Sequence, residues 1–305
     1  MKATPDFTHI SADQWLQTIQ KELKGRTWED SFVQLTDDIS IPPAFHHADI
    51  NGQDWTPVRG HYHDYSLSGL NFEARQLSQK NKYLLQALNH GLQSPGIIKQ
   101  KEPKDVEILL DGVQLDLVEW HLFGFSKEDA LVNLFTKQGV TYFLHPLPSE
   151  ETSVQSRMDE FIASLRAFDS SEENLDTFTH HCRVGANYLT EIAVLRAMRR
   201  IFENYSAARK ANELQFLLST SNAINPLSED LYTQMIANSA MAMSAMIAGA
   251  DRVSLDVFFK DKQALQYRMA INLIQILKME SHLDKVRDPL SGSYWIEKAT
   301  DLLAS

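Results

Sequence analysis

Short strand-like runs alternate with amphipathic helical segments from residue 70 to the end of the chain. This alternation restricts the possible folds more than any other feature. Each run is followed by a segment of helical periodicity, and the segment 228–248 carries Ser228 as its predicted cap. Repeated β-α units place parallel strands beneath helices. The strand-like runs are residues 72–77, 96–100, 115–123, 140–145, 181–184, 214–219 and 253–258.

The spacing of these units, about 20–45 residues, predicts an α/β fold with a (β/α) TIM-type barrel of seven or eight parallel strands. The eighth strand is short, hidden before Phe178, or lost. Residues 1–58 lack the alternation, so we interpret them as an N-terminal extended and helical arm. Residues 59–305 then form the barrel domain.

The arm contains one clear helical pattern, at residues 12–23. Trp15 and Ile19 lie on its apolar face, Ser11 is positioned to cap its start, and Gly25 to end it. An exposed apolar face of this kind is typical of a contact surface.

Composition excludes several classes of function. The chain has 305 residues and a formal net charge of −11, without basic runs or alternating aromatic and basic residues, which argues against nucleic-acid and anionic-membrane partners. Its apolar stretches are too short to span a bilayer. The single cysteine, Cys182, excludes an internal disulfide framework and favours a reducing, cytoplasmic location.

Three motifs in order carry a family resemblance: YLTEIAVLRAMR at residues 188–199, STSN at 219–222 and DPLSGSYWIE at 288–297. Together they resemble the barrel domain of the adenosylcobalamin-dependent acyl-CoA mutases, above all methylmalonyl-CoA mutase and its small subunit. We expect a structural role for the charged and turn residues of these motifs. They are Glu191, Arg196, Asp288, Gly292, Ser293, Tyr294 and Glu297.

The resemblance implies positions for substrate contacts and for a lost catalytic group. The family's first strand ends in a tyrosine over the substrate, and the matching run at 72–77 ends in Leu77, which has no hydroxyl. We therefore expect no catalytic residue. His145, His180 and His181 are weighed as ordinary structural residues. If substrate binding is retained, the expected contacts are Arg75, Gln76, Ser219, Thr220, Ser221 and Asn222.

The cobalamin side of the family is expected to be missing. The family's C-terminal cobalamin domain carries a D-x-H-x-x-G loop, and the partial match at residues 119–124 is interpreted as coincidence because it begins with Glu119 and interrupts the barrel units. We expect this chain to bind no cofactor, with adenosylcobalamin held elsewhere in the complex. The run His61, His63 and Asp64 does not establish a metal site, and none is predicted.

Two hypotheses follow. The first is a non-catalytic barrel, inactive alone, that stabilises a cobalamin-binding large subunit in the isomerisation of methylmalonyl-CoA and succinyl-CoA. The second is a catalytic acyl-CoA mutase barrel that uses a cobalamin domain supplied in trans or missing from this fragment. In the first, the arm contacts a large subunit or a second copy through Trp15, Ile19 and Trp28, although the arm could instead fold back on its own barrel.

Overall fold

Seven parallel strands surrounded by helices form the centre of the molecule in the part of the chain that the structure describes. The structure is a computed structural model. It describes residues 10–46, 49, 58, 66–73, 76–99, 106–147, 149, 153–171, 176–211, 213–222, 230–255 and 263–305.

The strands and helices are numbered in chain order. The strands are β1 (Val33–Gln34), β2 (Ser40–Ile41), β3 (Leu67–Glu73), β4 (Ser94–Ile98), β5 (Trp120–Phe123), β6 (Tyr142–His145), β7 (Thr177–Val184), β8 (Gln215–Asn222) and β9 (Arg252–Ser254). The helices are α1 (Ala12–Glu22), α2 (Leu77–Asn89), α3 (Val106–Leu110), α4 (Ala130–Gln138), α5 (Val154–Asp169), α6 (Tyr188–Arg209), α7 (Leu231–Ile247), α8 (Gln263–Met279) and α9 (Tyr294–Ala304).

The large sheet has the order β6-β5-β4-β3-β9-β8-β7, and all its ladders are parallel. Because β9 pairs with β3, with Leu67 opposite Arg252, the first and last strands of the barrel meet. One seam stays open between β6 and β7. Side chains bridge it: Thr179 Oγ1 donates to the carbonyl of Leu144 at 3.1 Å, and Arg183 Nε donates to that of Ser149 at 2.6 Å. The prediction of a TIM-type barrel is confirmed, in a nearly closed form with seven described strands.

Several predicted element boundaries are wrong. The strand predicted at 72–77 is β3, which ends at Glu73. Gln76 adopts a left-handed conformation with φ 51°, and this turn lets Leu77 begin helix α2. The first three residues of the run predicted at 115–123 form a 3-10 helix, and β7 starts earlier than expected, at Thr177.

Helix α7 is capped by Asp230 rather than by Ser228, which lies outside the described residues. The Asp230 carboxylate accepts a hydrogen bond from the backbone N–H of Thr233 at 2.8 Å. Aspartate is as good a cap as serine, so composition alone could not choose between the two positions.

The arm contains the predicted helix and a small hairpin. Ser11 Oγ accepts the backbone N–H of Gln14 while the Gln14 side chain accepts that of Ser11, a capping box that starts α1. Gly25 follows the helix at φ 96°. Strands β1 and β2 pair antiparallel, and Leu35 and Ile41 beside them are buried in the main core.

The core lies between the outer face of the sheet and the helices. Phe178 and Phe216 on adjacent strands contact Phe161 of α5 and Phe202 of α6, with ring centroids 5.0–5.8 Å apart. Each buried phenylalanine contributes about 1.5–3 kcal/mol of transfer free energy. Among the helices that are described, none has the length and apolarity needed to cross a membrane.

Candidate functional site: the barrel lumen

The inner face of the barrel is polar, although the outer face is apolar. Alternate residues of each strand point inward. Gly69 and Asn71 of β3 contact the side chain of Arg252, whereas Phe72, the residue after Asn71, contacts Tyr267 of α8. The same alternation brings side chains of the other strands into the lumen. They are Ser94, Gly96, His121, Phe123, His145, His181, Ser219 and Ser221.

Arg252 fills the centre of this lumen. Its side chain is fully buried and donates to the carbonyl of Ser94 at 3.1 Å, to Asn71 Oδ1 at 2.8 Å and to Ser219 Oγ at 3.3 Å. Its guanidinium carbon also lies 5.9 Å from the centre of the Phe123 ring, a cation-π distance. Strands from both sides of the barrel therefore hold one cation in place.

Two glycines make room for that guanidinium. A Cβ atom added to Gly69 would lie 2.8 Å from Arg252 Cζ, and one added to Gly96 would lie 2.9 Å from Arg252 Nη2. Both distances are shorter than real Cβ contacts, so a larger residue at either position would force the guanidinium of Arg252 to move. Strand glycines often mark such close approaches.

Three histidines extend from Arg252 across the lumen. His121 Nδ1 lies 2.8 Å from His145 Nε2 in stacked rings, and the ring of His181 is 6.1 Å from that of His145. His181 uses both ring nitrogens, at 3.0 Å from Ser219 Oγ and 3.1 Å from Ser221 Oγ. Within the described residues, His145 Nδ1 is buried without a hydrogen-bond partner.

Two of these histidines, His145 and His181, are neutral at pH 7. Burial, together with the positive charge of Arg252, lowers the pKa of His145 to about 3. Burial and the neighbouring His145 and Arg252 hold the pKa of His181 well below its usual value. Burial likewise lowers the pKa of His180, on the outer face of β7, to about 4. Neutral imidazoles already engaged with serines are poor candidates for proton transfer to a substrate.

The predicted substrate contacts are not brought together. Ser219 and Ser221 face the lumen, but Thr220 and Asn222 point the other way, where Thr220 Oγ1 donates to the carbonyl of Arg252 and Asn222 Nδ2 to Asn238 of α7. Gln76 is exposed at the start of α2, and Arg75 lies outside the described residues. Leu77 is the first residue of α2 and does not lie at a strand end, because β3 ends at Glu73; that this position corresponds to the family's tyrosine stays a prediction.

Sequence reasoning missed the most important residue of the lumen, Arg252. The available signal was an arginine within the short strand β9, followed by alternating residues, together with glycines in β3 and β4. Their meaning depends on pairing between distant strands, which the local sequence does not contain.

A second buried cluster joins the DPLSGSYWIE motif to α6. Arg196 donates to Asp288 from Nε at 2.7 Å and from Nη2 at 2.8 Å, to Glu297 at 2.9 Å and to Thr300 Oγ1 at 3.0 Å. Burial alone would lower the pKa of Arg196, but Asp288 and Glu297 outweigh it and raise the value. Asp288 also accepts the backbone N–H of Val58 at 2.8 Å, so the cluster reaches residues that precede the barrel.

The remaining motif residues have different positions. The backbone N–H of Gly292, at φ 85°, donates to Glu297 Oε1 at 2.9 Å, so the turn closes on the same carboxylate. Ser293 is the N-cap residue of α9 and Tyr294 its first residue. Glu191 lies apart from this cluster and binds Arg157 of α5, with one contact at 2.9 Å. Arg157 in turn donates to the carbonyl of Arg183 at 2.8 Å.

The predicted interface residues lie together on the arm. The rings of Trp15 and Trp28 meet edge to face at 5.7 Å, and Trp28 meets Phe32 at 6.1 Å. Trp15, Ile19 and Trp28 are all half-buried, and α1 has no fully buried residue. The far part of the arm is attached to the barrel, because Trp295 Nε1 of α9 donates to the carbonyl of Pro42 at 3.0 Å.

Comparison with known proteins agrees with the motifs of the C-terminal half. The sequence model of one family, Methylmalonyl-CoA mutase, matches residues 168–305. Over these residues, which make up a little under half of the chain, the sequence is similar to the methylmalonyl-CoA mutase family. The match covers strands β7 to β9, the Arg196 cluster and the DPLSGSYWIE motif.

Individual relatives lead to the same family. The chain is 33% identical over 126 residues to the methylmalonyl-CoA mutase small subunit of Porphyromonas gingivalis, a segment covering 39% of this chain and 20% of that protein. It is 31% identical over 124 residues to the small subunit of Streptomyces virginiae, with 39% and 20% coverage. The methylmalonyl-CoA mutase of Rhizobium meliloti is 30% identical over 129 residues, with 40% and 18% coverage. The chain thus matches about a fifth of the length of these relatives.

The similarity to the mutase family raises the question of adenosylcobalamin, and the one partial cobalamin motif can be tested. His121 within it is fully buried in the lumen, between His145 Nε2 at 2.8 Å and Glu119 at 3.5 Å. An imidazole fixed there cannot extend to a cobalt ion outside the barrel. This partial motif therefore does not fit the cofactor. Among the described residues, no group of three or more His, Cys, Asp or Glu could hold a metal ion, and His61, His63 and Asp64 lie outside the described ranges.

Proposed function

We propose that this chain is a non-catalytic barrel of the small-subunit type. In this proposal it associates with a large, cobalamin-binding mutase subunit and stabilises it in the isomerisation of methylmalonyl-CoA and succinyl-CoA. Similarity to the family and the names of the relatives from Porphyromonas gingivalis and Streptomyces virginiae support the assignment. A single free, buried cysteine, Cys182, is in keeping with the proposed cytoplasmic location.

The filled lumen carries this proposal. A barrel that receives the pantetheine arm of an acyl-CoA needs an open passage along its axis. In this barrel the fully buried guanidinium of Arg252 lies inside the lumen, held by Asn71, Ser94 and Ser219. Moving a buried cation away from such partners costs several kcal/mol, so a substrate would have to supply that free energy before it could enter.

The chemistry of the lumen supports the same conclusion. His181 is held by two serines, and the low pKa of His145 keeps it neutral near pH 7. General acid catalysis needs a group whose pKa lies near the working pH. These residues are better suited to holding the lumen closed than to moving protons.

We propose that the large subunit contacts the arm at helix α1 and Trp28. Trp15, Ile19 and Trp28 form a half-buried apolar cluster, and partly exposed tryptophans often dominate binding free energy. The alternative, an arm folded back on its own barrel, applies to residues 33–41, because Leu35 and Ile41 are buried in the core of this chain. The proposed contact is therefore smaller than the whole arm.

Association with a large subunit is tested by coexpression. The chain is coexpressed with a mutase large subunit, and complex formation is measured by mass in solution. We expect a stable complex with the intact chain and at least tenfold weaker binding with Trp15→Ala plus Trp28→Ala. The matched control is Tyr232→Ala, which removes another aromatic side chain, 71% exposed, from α7. Full affinity in the double variant would contradict the arm contact.

The catalytic alternative has its own test. Mutase turnover is measured for the chain alone with added adenosylcobalamin, and for a complex whose large subunit carries an inactivated substrate site. We expect no turnover in either case. Conversion of methylmalonyl-CoA in the second sample would support a catalytic barrel served by a cobalamin domain in trans.

A further inference from the structure

A groove lies outside the barrel between α2 and α8, where β3 and β9 close the sheet. Its volume is about 300 Å³, near the lower end for small-molecule sites. Tyr83 and Tyr267 form part of its wall, with ring centroids 5.4 Å apart, and the buried Ala87 lies beside them. Tyr267 is fixed from behind by the ring of Phe72 at 5.2 Å. The wall is therefore made of two aromatic rings whose planes are tilted by 48° to each other, and the buried Tyr267 holds the more exposed Tyr83 in place.

Polar groups with hydrogen-bonding capacity to spare line the same groove. Gln86 lies on α2, His90 directly follows α2, and Arg268 lies on α8. Within the described part of the chain, none of these three side chains makes a hydrogen bond or an ion pair. Gln275 of α8 instead donates to the backbone carbonyl of His90, at 2.8 Å, which joins the two helices at this end and leaves the imidazole available.

The charge of the groove is unusual for this chain. The formal net charge of the protein is −11, yet the described residues that line the groove include a guanidinium and an imidazole and no carboxylate. Acidic side chains exceed basic ones by 40 to 29 over the whole sequence, so most grooves should contain at least one carboxylate. The local chemistry therefore favours an anion against the overall charge.

We propose that this groove binds a small organic anion with a flat ring, an aromatic carboxylate or phosphate ester. The planar guanidinium of Arg268 matches the two oxygens of such a group in a bidentate pair. Gln86 and His90 donate further hydrogen bonds, and the ring packs on Tyr83, which the buried Tyr267 supports. The site is distinct from the lumen and from the proposed subunit contact, so its test does not depend on either.

The test uses three probes that share one ring: 2-naphthoate, 2-naphthyl phosphate and neutral 2-naphthamide. Binding to the full chain is measured by titration calorimetry. We expect at least one of the two anions to bind tenfold or more tightly than the amide, and the tighter anion identifies the charged group that the site prefers. Equal affinity for charged and neutral probes, or no binding of any probe, would overturn the proposal.

Variants assign the binding to the groove. Arg268→Gln should remove the preference for anions and leave the affinity for 2-naphthamide within twofold. Ala264→Trp places a large ring in the groove, and it should weaken the anions at least tenfold. Arg166→Gln, at an exposed arginine on α5, is the matched control and should change nothing. An anion preference that persists in Arg268→Gln would refute the assigned role of this arginine and with it the site.

Discussion

Replacing Asp288 by alanine should destabilise the protein strongly, for a reason visible in its contacts. The carboxylate is nearly inaccessible to solvent, at 3%, and accepts two hydrogen bonds from Arg196 and one from the backbone N–H of Val58. Its removal leaves a buried guanidinium and a buried amide without these acceptors. Leaving a buried hydrogen-bonding group without its partner costs about 1–3 kcal/mol.

The ion pair with Arg196 raises the expected loss of stability, and the second ion pair of Arg196, with Glu297, limits it. Removing one partner of a buried ion pair costs about 3–5 kcal/mol. Arg196 keeps Glu297 at 2.9 Å, so its charge is not left alone, and we expect the lower end, about 3 kcal/mol. For a chain of 305 residues such a loss lowers the thermal midpoint by about 5 °C.

The assay is urea unfolding followed by circular dichroism, with Asp116→Ala as control because Asp116 is exposed in a 3-10 helix. A double-mutant cycle with Arg196→Met isolates the pair. The double variant should lose at least 1 kcal/mol less than the sum of the single variants, since each single change strands the other group. An Asp288→Ala midpoint equal to that of Asp116→Ala would show that the reasoning is wrong.

Two further predictions concern the lumen. His145 has a pKa of about 3 in the folded protein and about 6.5 unfolded, so its contribution is present above pH 6.5 and is lost as the pH falls toward 3. Lowering the pH from 7.5 to 5.5 should cost about 1.4 kcal/mol through this group, and His145→Gln should reduce the measured pH dependence of unfolding by that amount; equal pH dependence in both proteins would contradict it. Gly96→Ala should cost about 1–3 kcal/mol, because the added Cβ meets the guanidinium of Arg252. A melting midpoint unchanged by this substitution would show that the lumen is not tightly packed.

Much of the fold could be predicted from the sequence because the helices show clear apolar periodicity. The arm helix was placed correctly by Ser11 and Gly25, whose local hydrogen bonding and backbone conformation do not depend on distant residues. The barrel followed from the repeated alternation of strand-like and helical runs. Both inferences depend on short-range patterns.

The start of the first barrel strand and the lumen could not be predicted in the same way. Strand β3 presents Gly69 and Asn71 to the lumen, so its first half lacks the apolar signal that marks most strands. Arg252 is buried because Asn71 and Ser94 accept its hydrogen bonds, and these residues lie 181 and 158 positions away in sequence. From the local sequence alone, an arginine that is buried and hydrogen-bonded to distant residues cannot be distinguished from an arginine exposed to solvent.

The contacts of Val58 and Pro42 with the end of the chain have a consequence for biosynthesis. The backbone N–H of Val58 donates to the carboxylate of Asp288, which lies 230 residues later in the sequence. The carbonyl of Pro42 accepts a hydrogen bond from the indole of Trp295, which lies 253 residues later. During translation Pro42 and Val58 leave the ribosome long before Asp288 and Trp295, so they reach their final positions only after those two residues have emerged. Contacts of such long sequence separation form late and slow folding. The segment that contains Pro42 and Val58 should therefore be the part of the nascent chain that is open longest to chaperones, to proteases and to association with another polypeptide.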